Sequence, residues 1–115
     1  MRRQIAQRYV ERITNPKLSL PQLADPHDSA SHVWHLFVVR TPQRDAFRRC
    51  LADRGIDTLI HYPVPPHRQP ALQAWNHAAY PVTEAIHETV VSLPLHPAMT
   101  QDHVAHVIDA CNAYE

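Results

Sequence analysis

The spacing of apolar residues predicts a helix at each end of the chain. In residues 1–13, Ile5, Tyr9 and Ile13 recur at every fourth position, and arginines occupy the other face. Near the C-terminus, a second run repeats at the helical spacings of three and four. Its members are Val104, Val107, Ile108 and Cys111. Thr100 precedes this run, and a threonine hydroxyl can accept a hydrogen bond from the first turn, so we expect the last helix to begin after it.

Between these helices, three runs rich in β-branched and aromatic residues predict strands. They lie at residues 32–40, 56–62 and 90–93. Thr41, followed by proline, is expected to cap a helix that ends near Gly55, and prolines introduce two further short helices at 70–77 and 81–87. This order predicts an α+β domain, with a sheet of about three strands and helices packed on one face.

The remaining long segment, residues 15–31, is predicted to be a loop, because Asn15-Pro16 ends the first helix. Three leucines are expected to hold this loop against the core. They are Leu18, Leu20 and Leu23.

Composition narrows the possible functions. The 115 residues suit one domain with a modest core. The net charge is zero, which gives no basis for proposing nucleic acid or an anionic membrane as a partner. Gly55 is the only glycine, so glycine-rich phosphate loops are excluded. Neither a signal-length nor a membrane-length apolar run is present, and we therefore expect a cytoplasmic protein. Cys50 and Cys111 fall on apolar helical stripes and are expected to be buried free thiols.

Ten histidines suggest a metal-site hypothesis, which their spacing does not favour. His103 and His106 lie about one turn apart on the last predicted helix. His32 and His35 are three residues apart in a predicted strand, so they point to opposite faces. Zinc needs three or four converging ligands, and we predict no metal site.

The most informative segment follows the second predicted strand and reads IHYPVPPHRQ at residues 60–69. Its prolines restrict the chain to an extended path, which can hold neighbouring side chains at defined positions. The candidate ligand-binding residues are His61, Tyr62 and His67, with Arg68 and Gln69 beside them. The alternative is a stiff surface loop around an ordinary buried tyrosine, and the residues alone leave both interpretations open.

This segment resembles the C-terminal domain of the DegT/DnrJ/StrS sugar aminotransferases. The resemblance extends over almost the whole chain. It includes RRQIAQRY at 2–9, HVWHLFVV at 32–39, RDAF at 44–47, RGI at 54–56, SLPLHP at 92–97 and the closing helix. It implies the small domain of a fold-type-I aminotransferase, with residues 1–14 as a linker helix from a large domain and residues 15–115 as the small α+β domain.

The resemblance also implies a chemistry. Members of this family act as homodimers and bind pyridoxal 5'-phosphate through a lysine of the large domain. They take an amino group from glutamate and pass it to a keto sugar carried by a nucleotide. The form IHYPVPPH is most similar to the branch that aminates C3 of a keto-deoxy sugar on a thymidine nucleotide. In such an enzyme the substrate-binding residues would be His61, Tyr62, His67, Gln69 and Arg68.

One departure from the family is the absence of a Schiff-base lysine. Lys17 is the only lysine, and its turn matches no such position in the family. We therefore expect no catalytic residue in this chain and no activity from it alone, with cofactor chemistry supplied by a large domain of the same polypeptide. The alternatives are a free-standing binding or regulatory module without enzyme activity and a folded remnant without function.

A domain separated from its neighbour exposes the face that once packed there. On this basis the apolar face of the first helix is expected to be exposed and to drive self-association. That face consists of Ile5, Tyr9 and Ile13.

Overall fold

Helices and short strands alternate along the chain in a computed structural model that describes residues 1–22 and 31–115. The elements, in order, are α1 (Arg2–Arg12), β1 (Phe37–Arg40), α2 (Arg44–Ala52), two short 3-10 helices (Pro66–Arg68 and Pro70–Trp75), α3 (Pro81–Thr89), β2 (Val90–Leu93) and α4 (Gln101–Asn112). The predicted α+β class is confirmed. Leu23, expected to hold the loop against the core, lies outside the described residues.

Within the described residues the sheet has two strands, so the predicted count of three is wrong. β1 and β2 pair antiparallel, with Val38 opposite Ser92. The predicted strand at 56–62 is reduced to one bridge, in which the Ser92 amide donates to the Leu59 carbonyl at 2.8 Å. The ladder does not continue past this point, and neighbouring backbone carbonyls bond to side chains instead: that of Thr58 accepts from Arg48, and that of Tyr62 contacts Nδ1 of His87.

The first strand is also shorter than the predicted span of residues 32–40. Trp34 has φ of +53°, a left-handed conformation that is unusual for a bulky residue and interrupts the extended chain. Its indole is buried and stacks on Phe37 with ring centroids 5.5 Å apart. The Trp34 amide donates to Nδ1 of His32 at 2.9 Å instead of to a neighbouring strand. The strand prediction is therefore wrong for residues 32–36.

Two helix starts differ in how their threonines act. Thr100 caps α4 as expected, since its Oγ1 accepts from the His103 amide at 3.2 Å. Thr41 does not cap α2: that helix begins at Arg44, after Gln43, and Thr41 Oγ1 accepts only a long 3.4 Å bond from the Gln43 amide. The prediction for Thr41 is wrong because the helix starts two residues further on.

The two cysteines lie in different environments. Cys111 is buried in α4, and burial raises the pKa of its thiol to about 12. Cys50 is only half-buried, and Nη1 of Arg54 lies 2.7 Å from its Sγ. The prediction of a buried thiol is confirmed for Cys111 and wrong for Cys50.

The apolar face of α1 packs on the core of the domain itself. Ile5, Tyr9 and Ile13 are each at most 7% exposed. The Tyr9 ring meets Phe37 edge-on at 5.1 Å, and its hydroxyl donates to the Pro94 carbonyl at 2.9 Å. The expectation of an exposed patch on this helix is therefore wrong, and these side chains stabilise the domain instead of leaving a surface for self-association.

The core draws its buried apolar side chains from residues 5–56 and 90–114. Residues 57–89 are described throughout, and the only buried side chain among them is that of His67. We call this stretch the 57–89 segment. It contains the two 3-10 helices and α3. Neither the second 3-10 helix nor α3 buries a residue. In the described parts of the chain, no helix is long and apolar enough to cross a membrane.

Candidate functional site

His61 is held at the edge of the sheet, just after the bridge that Leu59 makes with β2. Its Nδ1 lies 2.8 Å from Oγ of Ser92, a side chain that is 5% exposed. The His61 side chain also lines a small groove of about 190 Å³, together with His35 and Asp57. The His61 side chain is therefore fixed at one nitrogen and borders a groove with both polar and apolar walls.

Tyr62 is the most exposed of the candidate aromatic residues, with 64% of its surface accessible. Its backbone is fixed, because Nδ1 of His87 contacts the Tyr62 carbonyl oxygen from the end of α3. An anchored backbone with an exposed phenol excludes the alternative of an ordinary buried tyrosine. This arrangement suits a side chain that meets a ligand.

Tyr62 lies on an open groove of about 530 Å³, which we call the Tyr62 groove. Its lining residues are Tyr62, Pro63, Val64, Gln69, Pro70 and Ala71. Nε2 of Gln69 makes only a long contact of 3.4 Å with the Val64 carbonyl, so its amide retains hydrogen-bonding capacity. Apolar walls with a few polar groups are typical of small-molecule sites.

His67 does not share this surface. It is 4% exposed, with its ring edge-on to Tyr80 at 4.9 Å. Its Nε2 lies 2.8 Å from Oε1 of Glu84. An ionised carboxylate can only accept, so Nε2 carries the proton in this contact. The structure thus places His67 beneath the surface and not on the rim expected from the sequence.

Arg68 points to the same carboxylate. Its Nη2 donates to Glu84 Oε1 at 3.1 Å, and its Nη1 donates to the Asn76 carbonyl at 2.8 Å. The hydrogen bond from His67, followed by that from Arg68, lowers the pKa of Glu84. Sequence reasoning did not single out Glu84, because nothing local marks a carboxylate that meets His67 from 17 residues further along the chain.

The five residues predicted from the sequence therefore fall into three groups. Tyr62 and Gln69 share the Tyr62 groove. His61 lines the smaller groove beside Ser92. His67 and Arg68 are joined to Glu84.

The chain's one lysine, the residue type that forms a Schiff base with pyridoxal phosphate, has its side-chain contact elsewhere. Lys17, the only lysine, lies with Nζ 5.6 Å from the Tyr114 ring centroid, whereas residues 61–69 contact α3 and β2. Among residues 1–22 and 31–115, no three metal-ligating side chains converge. Two of the histidines considered for a metal have other contacts: His103 caps α4, and Nε2 of His106 lies 2.8 Å from the Arg54 carbonyl.

Both the small α+β fold and the IHYPVPPHRQ segment point to one class of protein, and comparison with known families agrees. The chain belongs to the DegT/DnrJ/EryC1/StrS aminotransferase family, whose model matches residues 1–112.

Two curated relatives are named as transaminases of dTDP-linked amino sugars. The dTDP-3-amino-3,6-dideoxy-alpha-D-galactopyranose transaminase of Aneurinibacillus thermoaerophilus is 49% identical over 113 residues, covering 98% of this chain and 30% of the relative. The dTDP-3-amino-3,4,6-trideoxy-alpha-D-glucose transaminase of Streptomyces venezuelae is 44% identical over 97 residues, covering 83% of this chain and 25% of the relative. The chain therefore spans less than a third of the length of these relatives.

Solved structures show the same fold. S. venezuelae DesV in complex with a ketimine intermediate superposes with a TM-score of 0.85 at 40% identity, covering 96% of this chain and 30% of that one. NtdA from Bacillus subtilis, solved with bound cofactor PMP, gives a TM-score of 0.77 at 28% identity, covering 96% and 26%. The match confirms that this chain corresponds to the small C-terminal part of such aminotransferases.

Proposed function

We propose that this chain is the small domain of a cytoplasmic, pyridoxal-phosphate-dependent aminotransferase that moves an amino group from glutamate to a keto-deoxy sugar on a nucleotide. We further propose dTDP as the nucleotide and C3 as the aminated carbon. The observation that carries this proposal is the 49% identity, over 98% of the chain, to a transaminase of a dTDP-linked 3-amino sugar. The second relative, also named for a dTDP-linked 3-amino sugar, supports the same carbon and nucleotide.

In this proposal the chemistry is divided between two parts of one polypeptide. Residues 1–14 link the small domain, residues 15–115, to a large domain that supplies the Schiff-base lysine, and the whole enzyme forms a homodimer. The chain alone is inactive. Support comes from Lys17, which is exposed and contacts Tyr114 instead of the residues around the Tyr62 groove.

The substrate side of the proposed site is the part that this chain supplies. Tyr62 and Gln69 offer a phenol and an amide to the sugar nucleotide from the Tyr62 groove. His61 offers an imidazole oriented by Ser92. His67 and Arg68 support this surface from the side away from the substrate, because Nε2 of His67 and both terminal nitrogens of Arg68 are already bonded to other groups of the chain.

A chimera tests this assignment. Residues 1–115 would replace the aligned C-terminal part of the A. thermoaerophilus transaminase, and formation of its amino-sugar nucleotide from glutamate would be followed by chromatography. We expect an active chimera in which Tyr62→Phe and His61→Asn each raise KM for the sugar nucleotide. Tyr80→Phe is the matched control, since Tyr80 is also an exposed tyrosine but does not line the groove. Unchanged kinetics in the first two variants would remove Tyr62 and His61 from the site.

A second experiment addresses the chain on its own. Titration with pyridoxal phosphate is expected to give no saturable Schiff-base absorption band. A band that Lys17→Ala abolishes would contradict the proposal that this part carries no cofactor lysine. A folded chain whose chimera shows no transaminase activity would favour the alternative, a non-enzymatic binding or regulatory module.

A further inference from the structure

We propose that Glu84 is a positioning residue for the Tyr62 groove, which it orients through His67 and Arg68. This inference rests on the proposed function of that groove. Glu84 makes its polar contacts with His67, Arg68 and the Tyr80 amide, none of which lines the groove that we expect to meet the sugar nucleotide. It acts through the two residues that directly precede Gln69.

One carboxylate oxygen of Glu84 accepts hydrogen bonds from two parts of the 57–89 segment. Oε1 of Glu84 lies 2.8 Å from Nε2 of His67 and 3.1 Å from Nη2 of Arg68, which both belong to the first 3-10 helix. The same oxygen lies 3.5 Å from the Tyr80 amide, at the start of α3. The carboxylate thus ties the 3-10 helix to α3.

The groove depends on this tie because no apolar side chain of the 57–89 segment is fully buried. His67 is the only buried side chain between residues 57 and 89, and its Nε2 atom is hydrogen-bonded to Glu84. Hydrogen bonds to ionised groups are about twice as strong as those between neutral groups. At the other end of the groove, His87 fixes the Tyr62 carbonyl. Glu84 and His87 therefore hold the two ends of the groove from one helix, α3.

We call the contact of Glu84 with His67 and Arg68 the anchor, and its chemistry requires a carboxylate. Its charge strengthens both hydrogen bonds, and the lowered pKa of Glu84 agrees with an ionised group in this position. A glutamine keeps the size and one acceptor oxygen but loses the charge. Glu84→Gln therefore changes the strength of the anchor with little change in volume.

The anchor can be observed in the chain itself by long-range 1H–15N NMR of the histidine rings. We expect His67 to carry its proton on Nε2, with slow exchange against solvent. Because a charge-assisted hydrogen bond is lost, Glu84→Gln should speed that exchange about ten-fold. Glu88→Gln is the control, since Glu88 is an exposed residue four positions further along the same helix. Equal exchange rates in wild type and Glu84→Gln would overturn the anchor.

The effect on the groove is measured in the chimera described above. We expect Glu84→Gln to raise KM for the sugar nucleotide about ten-fold while kcat stays within about two-fold, as for a change that affects substrate binding alone. Glu88→Gln should behave as wild type. A purely structural role would instead lower the melting temperature and the active fraction, which reduces kcat without changing KM, and that result would overturn the inference.

The two proposals fail in different ways. An inactive wild-type chimera would overturn the proposed function, and with it the role of Glu84 toward a substrate. An active chimera in which Glu84→Gln keeps the wild-type KM would overturn only the positioning role.

Discussion

Two regions of this small domain are ordered by different forces. The first, which we call the core region, comprises α1, both strands, α2 and α4, and it buries large side chains such as Tyr9, Phe37 and Phe47 completely. The second is the 57–89 segment, which buries His67 alone. Polar contacts hold that segment, through Ser92, Glu84 and the other groups described above. The comparison shows that the proposed substrate groove lies in the part that apolar burial does not fix.

The same division explains where apolar surface remains exposed. The large apolar residues of the 57–89 segment that stay exposed are Leu59, Tyr62, Val64, Trp75, Tyr80, Val82 and Ile86. In the rest of the described chain, the corresponding residues are only Met1, Val10 and Val33. From the sequence we expect an exposed apolar patch on α1. The apolar face of α1 instead completes this core, whereas α3 presents apolar side chains to solvent.

The largest contrast between the regions is expected in truncations to alanine. Phe47 is fully buried and contacts the Tyr114 ring at 5.1 Å. Phe47→Ala should lower the free energy of unfolding by about 3–5 kcal/mol, since it removes buried surface and leaves a cavity. Val82 is 73% exposed, and Val82→Ala should change it by less than about 0.5 kcal/mol. Urea denaturation measures both, and similar costs would show that the 57–89 segment belongs to the core after all.

In both regions the sequence predicts the features that depend on local signals and misses those that depend on tertiary contacts. The limits of β2 and the start of α4 depend on local signals, namely a β-branched run and the Thr100 cap, and both are confirmed. The break at Trp34 depends on burying its indole against Phe37, a tertiary contact that no local pattern encodes. The predicted strand at 56–62 fails likewise, since its residues bond to side chains of other elements.

The candidate site shows the same limit. Tyr62 and Gln69 could be singled out because the proline tract between them is a local signal. The partners that orient the segment could not be identified from the sequence, since Ser92 is 31 residues from His61 and Glu84 is 17 residues from His67. Only the fold brings these pairs together.

The junction between the two regions offers the next test. Gly55 has φ of +73° in the turn after α2, and a Cβ added there would meet no atom within 4 Å. Any cost of Gly55→Ala is therefore conformational, and we expect about 1–2 kcal/mol in the free energy of unfolding. Gly55→Asn should cost less, because asparagine tolerates the left-handed region. An alanine variant as stable as wild type in thermal denaturation would show that this turn relaxes without affecting the core.

A smaller effect is expected where the segment is tied to the sheet. Ser92→Ala removes the hydroxyl that contacts Nδ1 of His61 at 2.8 Å, while the backbone bridge to Leu59 remains. Loss of one hydrogen bond should cost about 0.5–1.5 kcal/mol. Hydrogen exchange should rise around residues 59–62 and stay unchanged in α4. Ser19→Ala is the control, because Ser19 is an exposed residue that bridges Arg40 through its backbone. Faster exchange throughout the chain would mean that the tie supports the core as well.

The smallest effect on overall stability is expected from protonation of the Glu84 carboxylate at low pH. Its pKa lies below the ordinary value of 4.5, so its contribution is present above pH 4.5 and is lost as the pH falls through the lowered value. Below pH 4.5, NMR should therefore show shifts of the Gln69 side-chain amide and the Tyr62 ring, while the buried rings of Phe37 and Phe47 keep theirs. Glu84→Gln should abolish this titration. If the core resonances move at the same pH as those of Gln69, the two regions unfold together and the contrast between them fails.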